Sequence, residues 1–222
     1  NTATDSEDDL VGDNTNGTIE SVLTNNMALQ NALAAEAPYI KLAGDVDVSD
    51  IIVLGYNVTI DGCGHKLTST AGRAINVSGA DGVTIKNLVI ECTGERAINV
   101  INNATNVTID NVTATAANYT VNVALSAPGA VVKIENCTLN GLNTVNVASP
   151  GAKVSVDNST INCNDNNTTD GESYAALCLN KAAVGAEIIA TNTVVNVTDG
   201  SDSSKGRNGA EDGTVTINDS TK

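Results

Sequence analysis

The sequence predicts an all-β fold, a single-stranded right-handed parallel β-helix of about seven to eight stacked coils with an N-terminal capping helix, and three observations carry that prediction. Val-x-Ile-like units begin at Val58, Val83, Val107, Val132, Val154, Ile188 and Val215, at intervals of 25, 24, 25, 22, 34 and 27 residues. Such a period suits one solenoid turn built from three short strands, the two long intervals marking loop insertions. Two more columns keep the same spacing, one of aliphatics (Ile90, Ala114, Leu139, Ile161, Val195) and one of Ile/Val-Asn-Val triplets. Finally, 222 residues contain no Phe, no Trp, four Tyr and one Met, so Val, Ile, Leu, Ala and Thr must fill the interior. A narrow solenoid closes on short branched side chains of that kind. Its hand follows from the rule that parallel crossovers are right-handed.

Taken in chain order, residues 1–18 are acidic, polar and Gly-containing, which reads as a disordered tether ahead of one domain over 19–222. A helix is expected over about 25–36, with Asn25 or Asn26 as N-cap, Leu29 and Leu33 on one face, and Pro38 as its stop. Strands follow at Tyr39 to Leu42, Val46 to Val48 and Ile51 to Leu54, leading into the repeats. Within each coil the first strand alternates aliphatic and polar residues, as in Val83-Thr84-Ile85, which places the aliphatics inside. Asn87, Asn111, Asn136, Asn158 and Asn192 stand at the bend into the second strand and are expected to form an internal ladder of stacked amides. The third strand carries Asn76, Asn99, Asn122 and Asn146 between aliphatics, which puts those four outside. Turns back to the first strand rhyme as Ala127-Pro128-Gly129-Ala130 and Ser149-Pro150-Gly151-Ala152. The stretch from Asp199 to Gly213 is Ser- and Gly-rich and reads as a flexible excursion, and no cap is evident after Val215. An uncovered end leaves end-to-end or side-by-side self-association open.

The helix, the Ile-x-Leu-Ala-Gly-Asp stretch, Val58-Thr59-Ile60-Asp61-Gly62-Cys63-Gly64-His65 and the Asn columns resemble the pectate-lyase-like right-handed β-helix superfamily, closest to adhesin-like surface proteins of gut microbes. The likeness spans about residues 25–219. It implies a secreted or cell-surface module, tethered through its N-terminus, that binds a polysaccharide or host glycan without catalysis. The same superfamily implies two alternatives, a lyase or glycoside hydrolase acting on an acidic polysaccharide, and a purely structural stalk.

A formal net charge of −15 repels phosphate backbones, so no nucleic-acid partner is expected, and no run of about 18 apolar residues exists to span a membrane. Enzymes of this fold use acidic groups with a basic residue. Asp110, Glu135 and Asp157 with Arg73 and Arg96 are the candidates here, although Lys86 and Lys133 nearby also suit a solvated, partly neutralised corner. As ligand-binding residues we single out Arg73, Arg96 and Tyr119, which share a column and can hold an acidic sugar by paired hydrogen bonds, with Asn99 and Asn122 on the outward face. No cofactor is expected beyond calcium, for which Asp165, Asn167, Asp170 and Glu172 in an oxygen-rich loop supply the right ligand type. His65, the lone histidine, has no carboxylate at a recognisable spacing and reads as structural. The five Cys are expected unbridged and mostly buried, with Cys63 and Cys137 at one repeat position and Cys92 and Cys163 at another, about 14 Å apart within each pair. Asn-x-Ser/Thr sequons are numerous, but the recurring Asn-Val-Thr unit generates them, and the sequence alone does not imply glycosylation.

Overall fold

The computed structural model of the chain describes residues 20–23, 25–164, 174–198, 200 and 202–218. They form a parallel solenoid of about seven turns with one helix near the N-terminus. Every pairing between named strands is parallel, each strand lying against its counterpart one coil away. First and second strands merge into a 14-stranded sheet because Thr84–Cys92 and Val107–Thr115 run unbroken through the bend. Third strands form a separate sheet of seven.

Observed registers match the columns drawn from the repeat. Val107 pairs with Val132, Val132 with Val154, Val154 with Ile188, and Ile188 with Val215. In the second strand Ile90, Ala114, Leu139, Ile161 and Val195 align. Ile75, Ile98, Val121, Val145 and Leu177 align in the third. All these side chains except Val215 are buried in one continuous core, and Val215 packs against it. Each coil can bury its aliphatics only against the coils above and below, so neighbour contacts supply the stability of the stack.

The helix Asn26–Ala34 closes the N-terminal end, with the Asn25 side chain accepting from the Ala28 N–H at 2.8 Å and Ala28, Leu29, Ala32 and Leu33 buried. A strand that the sequence pattern did not announce, Glu20–Leu23, precedes it and pairs with Tyr39–Leu42. At the opposite end Thr214–Asn218 is the last first strand. Val215 and Ile217 pack on the core but remain partly exposed, and among the described residues no element covers them.

Two expectations need correction. The segment read as a flexible excursion contains a 3-10 turn, Asp202–Ser204, and the strand Gly206–Asn208, which pairs with Leu177–Leu179 and completes the last third-strand layer. Its polar composition hid a strand whose pairing partner lies about 30 residues back, beyond the reach of any local pattern. Cys63 and Cys137 are not equivalent either. Cys63 has φ 51° in a bend lengthened by Gly62 and Gly64, whereas in the later coil Asn136 takes the positive φ and Cys137 follows it.

No disulfide joins the five cysteines; Cys63 is exposed and the other four are buried. Burial pushes the Cys137 thiol up to about 11. The native protein should therefore expose one thiol to a membrane-impermeant maleimide at neutral pH and five after denaturation, counted by mass spectrometry. A second fast-reacting thiol would contradict the packing.

Candidate functional site

The bend between first and second strands shows how local chemistry sets the surface. Asn87, Asn111, Asn136, Asn158 and Asn192 share φ values of 48° to 56°, a left-handed conformation that Asn tolerates better than other side chains. They form one column, as the sequence indicated, but it lies on the outside. Asn87 is half-buried and the other four are exposed. Nor do their amides run as a continuous ladder. Asn111 donates to Asn87 at 2.8 Å and Asn87 to Asp61 at 3.0 Å, while Asn136 turns to Asp110 at 2.8 Å. Asn158 and Asn192 make no side-chain hydrogen bond among the described residues. The left-handed turn explains this, because it carries the side chain out of the bend while the backbone closes the corner.

The buried ladder runs on the third strand. Asn99 donates to Asn76 at 3.0 Å, Asn122 to Asn99 at 2.7 Å, and Asn146 to Asn122 at 2.8 Å. Asn99, Asn122 and Asn146 are 2%, 3% and 3% exposed. Asn99 and Asn122, expected among the ligand-binding residues, thus spend both ends of their amides on neighbours and present no free surface. Alternation places them opposite the aliphatic face correctly, but this opposite face is itself shielded, which a period of two cannot report. A second ladder, unannounced by the sequence reading, joins Asn196 to Asn162 at 2.9 Å and Asn162 to Asn140 at 2.7 Å on the outer face of the second strand.

Asp110, Glu135 and Asp157 stack in register, continuing a column through Lys86 and Asp61. Asp110 and Glu135 are engaged locally. Asp110 accepts from Asn136, and Lys133 lies 2.8 Å from Glu135. Asp61 is 8% exposed and accepts from the Cys63 N–H at 2.9 Å, the Asn87 amide at 3.0 Å and the Tyr39 hydroxyl at 3.1 Å, with Lys86 at 3.6 Å. Burial opposes ionisation there, but those donors and the Lys86 cation outweigh it and hold the carboxyl below its ordinary range. No group of three or more His, Cys, Asp or Glu among the described residues could hold a metal ion. Asp165, Asn167, Asp170 and Glu172, the expected calcium ligands, lie outside the described residues. His65 does face a carboxylate, its Nδ1 lying 3.6 Å from Asp45, a partner 20 residues away that the preceding coil brings alongside.

Arg73, Arg96 and Tyr119 sit at the start of the third strand in consecutive coils, paired in register as Arg73 with Arg96 and Arg96 with Tyr119. The Arg96 guanidinium lies over the Tyr119 ring, 5.3 Å from its centroid. Its Nε is buried without a hydrogen-bond partner, and so is the Asn118 Oδ1 one residue before Tyr119. Burial and the neighbouring Arg73 cation both pull the Arg96 pKa down, against the pull of Glu95. Neither arginine forms an ion pair among the described residues, although Glu95 adjoins Arg96 in sequence and acidic residues outnumber basic ones 26 to 11. The acidic column ends the first strand and the arginine column begins the third. The whole second strand separates them, so the two sets do not form one acid-base constellation.

No protein-family model and no curated protein matches the chain. Among solved structures, it is similar to one described as "L. reuteri 53608 SRRP", with 14% identity over 90% of this chain and 98% of that chain, at a TM-score of 0.36. A likeness at that identity and score carries no argument about activity. Among the described residues no helix is long and apolar enough to cross a membrane.

Proposed function

We propose that the chain is a non-catalytic, surface-displayed binding module whose corner of Arg73, Arg96 and Tyr119 captures the carboxylate or sulfate of an acidic glycan. The observation that supports this reading is the pair of stacked arginines with no carboxylate partner among the described residues of a strongly acidic protein. Two like charges one strand spacing apart repel, and Arg96 also bears the cost of burial, so an arriving anion relieves both penalties. Guanidinium groups offer the planar donor fork that matches a carboxylate or sulfate. The Tyr119 ring supplies the one aromatic surface at the corner. Repulsion from the remaining acidic surface is screened beyond about 8 Å at physiological ionic strength, which leaves contact chemistry to decide.

Retention on a panel of immobilised carboxylated and sulfated oligosaccharides, against neutral counterparts, tests the reading. Arg96→Ala and Arg73→Ala should each weaken retention by at least about tenfold, since a hydrogen bond to a charged group contributes about 1.5–3 kcal/mol. Arg96→Lys should not restore it, for a lysine lacks the fork. Wild-type affinity in both Ala variants, with unchanged melting, would remove the site. Silence across the acidic panel would favour a stalk, and release of unsaturated fragments would favour a lyase.

A further inference from the structure

We propose that Asn57, Asn103 and Asn158 are N-glycosylation sites, so that glycans flank the first strands at both ends and leave the arginine corner clear. The sequence contains 13 Asn-x-Ser/Thr sequons, about twice what its Asn, Ser and Thr content would scatter by chance. The repeat accounts for part of that excess, yet it does not account for where the hydroxyl residues fall. Eight Asn-Val-x units occur. In the three whose Asn is buried, at Asn99, Asn122 and Asn146, the third residue is Ile101, Ala124 or Ala148. In the other five, whose Asn is exposed or half-buried, it is Thr or Ser: Asn57, Asn76, Asn106, Asn111 and Asn196. Packing does not forbid a hydroxyl in the buried units, because Ser78 occupies the place that Ile101 takes one coil later. The sequon is therefore present where a transferase could reach the amide and missing where it could not.

Among the sequons with an exposed Asn, hydrogen bonding selects further. Asn106, Asn111, Asn136 and Asn196 donate their amides to Asp81, Asn87, Asp110 and Asn162. Asn57, Asn103 and Asn158 make no side-chain hydrogen bond among the described residues, so modification there breaks none. Asn57 and Asn103 stand in turns leading into first strands, and Asn158 at the bend leading out. By contrast, Asn118 of Asn118-Tyr119-Thr120, beside the arginines, is half-buried with its Oδ1 enclosed.

In the reaction, the amide Nδ2 bonds to the anomeric carbon of a saccharide carried on a lipid phosphate. The carbon–oxygen bond to that phosphate breaks, the lipid phosphate departs with the electron pair, and Nδ2 gives one proton to a base of the transferase. This inference rests on the surface display in the reading above, though not on its ligand. Glycopeptide mass spectrometry of the protein purified from the cells that make it tests the assignment. Saccharide mass is expected on the peptides of Asn57, Asn103 and Asn158; Thr59→Val and Thr160→Val should each remove the mass at their own sequon without shifting the melting temperature, and Asn103→Gly, which keeps the left-handed φ of 64° and leaves the Thr105 hydroxyl in place as acceptor of the Val131 N–H, should remove it at the third. Unmodified Asn57, Asn103 and Asn158 would overturn it, as would equal modification of Asn99, Asn122 or Asn146. Retention on acidic oligosaccharides by the Thr variants, and intact glycans on Arg96→Ala, would keep the two readings separate, since either can fail while the other stands.

Discussion

Replacing Asn122 by Ala should destabilise the protein by about 3 kcal/mol, the sum of two buried polar groups left without partners at about 1–3 kcal/mol each. Asn122 donates to Asn99 and accepts from Asn146, so its removal strands one acceptor and one donor in a layer with 2% to 3% exposure. For a chain of this length that corresponds to a fall in Tm of about 6–12 °C by circular dichroism. Asn111→Gly makes the comparison. Its amide is exposed, Gly keeps the left-handed φ of 52° without strain, and the expected loss is under about 1 kcal/mol. A larger shift for Asn111→Gly than for Asn122→Ala would mean that the amides of the bend, and not those of the third strand, hold adjacent coils together.

That contrast also marks what the sequence could and could not disclose. Columns were legible because a solenoid repeats its inward positions at nearly constant spacing. Val107, Val132 and Val154, or Ile98, Val121 and Val145, align in space as they align in text. Even the candidate corner was legible as a column, since Arg73, Arg96 and Tyr119 precede the third strand by the same offset. Which of two Asn columns is buried was not legible. Alternation tells which residues share a face, whereas shielding of that face depends on how two strands of one coil meet, a property spread over residues far apart in the chain. Stacked amides suit an interior, which is why the sequence points the bend Asn inward, but the positive φ that makes Asn useful at a bend also turns it outward. Likewise no sequence pattern shows that Arg96 has no ion pair among the described residues, because Glu95 sits beside it in the text and forms none with it in space.

Gly94→Ala should cost about 3 kcal/mol, the upper end for an added methyl group, because what the new carbon meets is backbone. An ideal Cβ at Gly94 would lie 2.1 Å from the Ala71 carbonyl oxygen and 2.6 Å from the Gly72 Cα, atoms of the coil below. Neither can swing aside as a side-chain tip would, since Gly72 accepts the Glu95 N–H at 2.8 Å and the Arg96 N–H at 3.2 Å. The coils must part at this corner, and those are the bonds that set Arg96 over Arg73. Gly72→Ala supplies the control, for a Cβ there meets nothing within 4 Å and Tm should move by less than about 2 °C. The same pair of variants bears on the site. If the spacing of the arginine column makes the anion corner, Gly94→Ala should lose retention on acidic oligosaccharides even well below its own melting point, while Gly72→Ala keeps it. Full retention in a destabilised Gly94→Ala protein would show that the two arginines act independently of the register that stacks them.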